Sequence, residues 1–323
     1  MKSKRNIMLD SSGKPIDFDR GFKVLELNSW ENFQEFVARN QNLKGYIFRG
    51  QRCGAWSLQP TLTRILKKKG KILGPEHLSQ QLFRFRLAIR GRINLAEREL
   101  LSSSELWSIG QHHGLGTPLL DWTASPLVAG FFAFSEPSDD LDSRSVFALW
   151  AKRINELFAA MLRKNLDEQK AGLSDMLEKS ASFAEEQPDY GKDQAFIVAE
   201  RIVERLLPAE FELYSAVVEA MDATEAEIPR IVSPFSGENQ RLVNQRGLFT
   251  KFTGPDPLDQ WVTKNFREKS REPYAADQPM LLKLNLPTRE RDPALSRLDA
   301  ANINYLSLFP DVDGAALFTN EKL

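Results

Sequence analysis

Arg49 stands beside Gly50 at the end of a short apolar run, Gly45-Tyr46-Ile47-Phe48, and Gln51 follows it. That pairing suits an anionic ligand. The guanidinium offers a planar, permanently charged pair of donors that matches a pyrophosphate, and a glycine lets backbone approach closely. A second group begins at Asp121 and continues through Trp122, Thr123 and Ser125. A carboxylate there can stabilise a positive charge that develops in a reaction, or orient His112. His112 and His113 are adjacent and so point in different directions on either regular element, so that one acts while the other packs. Each residue also has a plain structural role open to it. Arg49 can be a buried ion-pair partner, Asp121 can cap the turn into the next helix, and Trp122 can be core rather than a platform for a flat ligand.

Other chemistries are excluded by residue type. The chain has one cysteine, Cys53, which rules out an intrachain disulfide and a cysteine-rich zinc site and fits a reducing compartment. With three histidines, no His-x3-His pair and no calcium-loop pattern, no metal is expected. The phosphate-binding loop, the dinucleotide fingerprint Gly-x-Gly-x-x-Gly and the Gly-x-Ser-x-Gly nucleophile elbow are all missing. The N-terminus is basic but is not followed by the apolar stretch of a secretory signal, and no run reaches membrane-spanning length. The expected location is the cytoplasm, with no membrane partner.

Formal net charge is −1, yet charge is unevenly placed. Between positions 49 and 98 there are twelve Lys or Arg against two acids, Glu76 and Glu97, whereas from 135 to 229 acids outnumber bases about two to one. Lys67, Lys68, Lys69 and Lys71 form the densest basic group. They suggest a surface for RNA or DNA through phosphate contacts, against the alternative that basic and acidic segments pair or simply face water.

These groups need elements to hold them. Trp30, Phe33, Phe36 and Val37 repeat at helical spacing behind Ser29, which predicts a capped helix over 28–40. Helices are predicted over 75–90 and 104–111, and residues 67–71 read as a basic linker. The run 127–134, after Pro126, reads as a buried helix, and 146–150 as a strand. Residues from about 153 to 224 carry helical periodicity throughout, with Ile202, Leu206, Leu213, Val217 and Met221 on one face and a loop at 187–191. Strands are expected at 230–234, 247–252 and 280–286, then a helix over 287–299 and a turn at 308–314. A chain of 323 residues with 42% hydrophobic content can bury a substantial core as one large domain or two modest ones.

Two clusters carry a family resemblance: Phe48-Arg49-Gly50-Gln51 with Trp56-Ser57-Leu58-Gln59-Pro60-Thr61-Leu62-Thr63-Arg64, and Gln111-His112-His113-Gly114 running to Leu119-Leu120-Asp121-Trp122-Thr123-Ala124-Ser125-Pro126. They resemble the FRG domain family, as do Gln245-Arg246-Gly247 and Leu308-Phe309-Pro310-Asp311-Val312-Asp313-Gly314. One departure is that Gly114-Leu115-Gly116-Thr117-Pro118 lacks the arginine that the family usually carries before Leu-Leu-Asp-Trp-Thr.

The FRG pattern is in turn similar to ADP-ribosyltransferases. The resemblance implies an α+β fold with a split β-sheet core: residues 1–151 and 230–323 form the two parts of that domain, with an all-helical insertion at 152–229. It also implies NAD⁺ as substrate, held by Arg49, Gly50, Gln51, Trp122, Thr123 and Ser125. Arg49, His112, Asp121, Thr123 and Gln245 are then the catalytic candidates, with Gln245, Asp311 and Asp313 competing for the late acidic position. The implied function is ADP-ribosyl transfer to a macromolecule, RNA or DNA among the acceptors, in a toxin or phage-defence effector. An antitoxin or regulatory protein would meet the helical insertion. Two other readings stay open: a nucleic-acid hydrolase using His112 and Asp121, and a non-catalytic nucleic-acid or protein binding module.

Overall fold

The computed structural model describes residues 8–9, 14, 21–40, 43–92, 103–137, 142–167, 228–232, 240–266 and 278–321. The structure is α+β. Seven strands, β1 (Phe22–Glu26), β2 (Tyr46–Gln51), β3 (Leu119–Thr123), β4 (Ser143–Trp150), β5 (Arg230–Val232), β6 (Gly247–Lys251) and β7 (Leu281–Pro287), form one sheet in the order β1-β7-β4-β2-β3-β6-β5. The β1–β7 pair is parallel and the other neighbours are antiparallel.

Alternation along the central strands explains why helices cover both faces. In β4, Phe147 and Leu149 join one core cluster and Val146 and Ala148 the other, all buried. The first face is covered by α6 (Ala151–Asp167), through Ile154, Leu157 and Phe158, and by α8 (Leu258–Asn265), through Leu258, Trp261 and Val262. The second is covered by α1 (Trp30–Arg39), α5 (Pro126–Phe134) and α9 (Arg291–Ala300). Helices α2 (Thr61–Lys68), α3 (Pro75–Ala88) and α4 (Ser103–His112) contribute to a third cluster over β3, β5 and β6, where Leu62, Leu78 and Trp107 meet Leu119, Val232 and Phe249. Short helices α7 (Gln240–Asn244) and α10 (Tyr305–Leu308), a 3-10 turn at Thr288–Glu290 and α11 (Val312–Glu321) complete the described elements.

Local chemistry accounts for the helix ends. Ser29 Oγ accepts from the Asn32 amide at 3.3 Å, and the buried stripe of α1 is Trp30, Phe33 and Phe36. Helix α5 starts at Pro126 behind Ser125, whose Oγ accepts from the Val128 amide at 3.3 Å. It is apolar all round because strand β2 packs on one side and Trp30 of α1 meets Gly130 on the other. The expected basic linker at 67–71 is instead the end of α2. Gly70, at φ +67, closes a Schellman turn in which the Lys71 amide donates to the Leu66 carbonyl at 2.9 Å and the Gly70 amide to Lys67 at 3.0 Å. Of the helical block read over 153–224, residues 151–167 are described and are helical; the loop at 187–191 and the Ile202–Met221 face lie outside the described residues.

Candidate functional site

The sheet parts between β2 and β3. Strand β2 pairs with β4 along its whole length, from Tyr46 opposite Trp150 to Gln51 opposite Ser145, and β3 pairs with β6 over five positions. Between β2 and β3 the register holds a single pair, Phe48 opposite Thr123. Beyond it the backbones separate, and an open cleft of about 870 Å³ lies along the split. Arg49, Gly50 and Gln51 line it from β2, Asp121, Trp122 and Thr123 from β3, Gln245 from the turn before β6 and Gly247 from its first position.

Arg49 and Asp121, far apart in sequence, meet here. Arg49 Nη1 donates to the Asp121 backbone carbonyl at 2.8 Å and lies 3.4 Å from carboxylate Oδ2. Holding the guanidinium mainly by a carbonyl leaves the carboxylate available, and the Asp121 side chain is 58% exposed. Gln111 fixes that carboxylate: its Nε2 donates to Oδ1 at 3.1 Å and Oδ2 at 3.0 Å, while its Oε1 accepts from the hydroxyl of fully buried Thr117. Two cleft residues keep polar atoms unmatched: Arg49 Nε and Gln51 Oε1 are buried with no hydrogen-bond partner. Buried polar atoms are ordinarily satisfied, so an unmatched donor and acceptor at one site are notable.

Several other candidates have packing duties. A Cβ on Gly50 would lie 2.0 Å from the Ala129 carbonyl oxygen and 2.5 Å from the Ala133 amide nitrogen, so this glycine is needed for α5 to sit on β2. The Trp122 side chain is core, 3% exposed, with Nε1 donating to Thr250 Oγ1 at 2.9 Å. Thr123 donates its hydroxyl to the Gln245 carbonyl at 2.7 Å and accepts from the Ser125 amide at 3.0 Å, which ties β3 to the turn before β6. Ser125 is the cap of α5 and is not among the residues lining the cleft.

Of the three residues that compete for the late position, Gln245 is the one in the cleft lining. It donates through Nε2 to the Leu308 carbonyl at 3.1 Å. Asp311 and Asp313 are both engaged by Arg241, away from the cleft lining, and that guanidinium, together with the Gly314 amide, holds the Asp311 carboxyl below its ordinary range. His112 belongs with this second group. It sits edge-on to His113, 5.0 Å between ring centres, and does not line the cleft. Burial, then the neighbouring His113 and Arg241 charges, lower its pKa, with Asp311 opposing. Asp121, the carboxylate expected to orient His112, is held by Gln111 instead.

Other cleft residues went unassigned in the sequence. Arg52 pairs with Glu136 and lies over the Trp56 ring at 5.2 Å, and all three line the cleft with Arg64 of α2. The fully buried Arg144 donates to the carbonyls of Ala133 at 2.7 Å and Glu136 at 2.8 Å, which sets the turn that carries Ser135 and Glu136 to the rim. Trp56 and Arg64 belong to the quoted motif, so only their role was hidden. Lys67, Lys68, Lys69 and Lys71 are exposed on and just after α2, with no ion pair among the described residues. Among the described residues no cluster of three or more His, Cys, Asp or Glu converges as for a metal, and no helix is long and apolar enough to cross a membrane.

Comparison with curated proteins and with solved structures gives no match. A family does match, locally: residues 44–142, the stretch that supplies Arg49, Gln111, Asp121 and Thr123, match the FRG domain.

Proposed function

We propose that the cleft binds NAD⁺ and that the protein is an ADP-ribosyltransferase acting on a macromolecule. The observation that carries this reading is Arg49 at the split of the sheet, fixed against the Asp121 carbonyl with its Nε unmatched. An anion such as a pyrophosphate suits the exposed part of that guanidinium, on a side chain that is 22% exposed. The volume, about 870 Å³, lies within the rough 300–1,000 Å³ span of ligand sites. A split sheet with an arginine-glycine strand end beside a threonine strand is also the order of motifs that resembles the transferases.

In this reaction the bond between ribose C1′ and the nicotinamide nitrogen breaks, and nicotinamide leaves with the bonding pair as a neutral molecule. The acceptor nucleophile then bonds to C1′ and gives up its proton. Two carboxylates line the cleft, Asp121 and Glu136, and Glu136 is paired with Arg52. Asp121, which lies 3.4 Å from Arg49 and is fixed by Gln111 at the split of the sheet, is the group assigned to face the positive charge that grows on the ribose and to take the acceptor's proton. Gln111 is its positioning residue. Gln245 brings an amide, not an acid, to the edge of β6. A hydrolase built on His112 and Asp121 has less support, since His112 stands with Arg241 and not in the cleft. Service as a toxin or defence effector, with a partner at the helical block, belongs to this same proposal.

Incubation with NAD⁺ labelled in the adenylate tests it. Wild-type protein should move label onto a macromolecule, Arg49→Ala should abolish transfer, and Arg49→Lys should be severely impaired because one ammonium cannot give two planar donors. Loss of a charge-assisted contact of about 1.5–3 kcal/mol corresponds to roughly tenfold to a hundredfold. A folded Arg49→Ala protein that transfers label at the wild-type rate would sink the assignment.

A further inference from the structure

Basic residues run outward from the cleft in helical step. Arg64 lines the cleft from α2, and Lys67 and Lys68 follow at three and four positions, which places them along one side of the helix, with Lys71 just past its closing turn. The Schellman turn at Gly70 folds Lys71 back beside the helix end, its amide bonded to Leu66. All four are exposed, and no acid pairs with them among the described residues. At the inner end of this row stands Trp56, 45% exposed although large and apolar. It lines the cleft, and Arg52 lies over its ring at 5.2 Å. The exposed part of the indole leaves flat apolar surface on which another ring can stack.

We propose that this row is the acceptor track of the enzyme: a single-stranded nucleic acid lays its phosphates along Arg64, Lys67, Lys68 and Lys71 and stacks one base on Trp56, at the entrance to the cleft. Charge complementarity selects a polyanion, and the aromatic face selects one with unpaired bases. A duplex keeps its bases stacked inside and cannot present one to Trp56 without unpairing it. What is then done to the strand rests on the transferase reading above. Binding itself does not, and needs no NAD⁺.

The test uses the full chain and fluorescent 12-nucleotide oligonucleotides of RNA and DNA, single-stranded and duplex, with anisotropy read across a salt series. Single strands should bind more tightly than duplex, and the RNA and DNA arms identify which of the two is preferred. Trp56→Ala should weaken single-strand binding about 5- to 150-fold without changing the salt slope, and Trp56→Phe should recover much of the loss. Replacing Lys67, Lys68 and Lys71 together by Gln should flatten the slope of log affinity against log salt by about 2, at about 0.7 per lost phosphate contact. An unchanged slope, a Trp56→Ala protein that binds like wild type, or duplex bound as tightly as single strand would each overturn the track. NAD⁺ is titrated separately, without nucleic acid. Its failure to bind would remove the transferase reading, while the oligonucleotide series would still decide the track.

Discussion

Gln111 uses both ends of its amide, one accepting from Thr117 and the other donating to both oxygens of Asp121. A neutral side chain orients the carboxylate in this way without adding a charge of its own, while Arg49 lies 3.4 Å from Oδ2. The second cluster adds a titrating histidine to its ion pairs. Burial and the His113 and Arg241 charges hold His112 below the ordinary histidine value of 6.5, and Arg241 holds Asp311 low as well. For both groups the folded pKa lies under the unfolded one, so as pH falls the unfolded chain takes up the proton first. Their contribution to stability is therefore complete above the unfolded values and is lost on acidification, for His112 as pH drops below about 6.5 and for Asp311 only in stronger acid. NMR titration should place the His112 midpoint below 6.5 in the wild type. In Arg241→Ala the His112 and Asp311 midpoints should both move up. A His112 midpoint that ignores the loss of Arg241 would show that burial and His113 set it without that guanidinium.

At the scale of elements, the packing of α5 on β2 decides how the cleft is shaped. Gly50 and the Ala129–Ala133 side of α5 bring helix and strand together so closely that one methyl group has no room. Gly50→Ala must push the helix off the strand that carries Arg49, and should cost about 2–3 kcal/mol, read as a lower urea midpoint at unchanged m-value. A variant as stable as wild type would mean that α5 shifts freely, and the cleft with it. Helices α1 and α5 and strand β4 were legible from sequence, since their apolar spacing and caps are strong local signals. Strand β1 was not. It is five residues long and only partly buried, with Gly21 and Asn28-Ser29 close on either side, so the apolar pattern is weak. The end of α2 was misread because four lysines look like a linker, although Leu62 and Leu66 already carried a buried helical pair. The site was half legible in the same sense. Motifs named Arg49, Asp121 and Gln245, but a motif cannot separate a glycine kept for a ligand from one kept for a helix, nor show that Trp122 and Ser125 face inward or cap.

Over the whole molecule, the pairing of distant strands is what sequence periodicity hides. The FRG match ends at residue 142, yet β2 rests on β4, and β3 on β6, so both walls of the cleft are supported from outside the matched stretch. Within residues 44–142 the sheet would keep two strands, β2 and β3, joined by the single pair Phe48 and Thr123. Two strands with one registered pair do not form a stable sheet in water, and the loss of the segments outside 44–142 strips most of the core cluster from Ile47, Leu120 and Trp122. A fragment of residues 44–142 should therefore show no cooperative unfolding in urea, followed by the fluorescence of Trp56, Trp107 and Trp122, and should not bind NAD⁺. The full chain should unfold in a single sigmoidal step at the same wavelengths. A fragment with a transition near that of the full chain would mean that the split sheet is stable without its outer strands, and that the cleft belongs to the matched stretch alone.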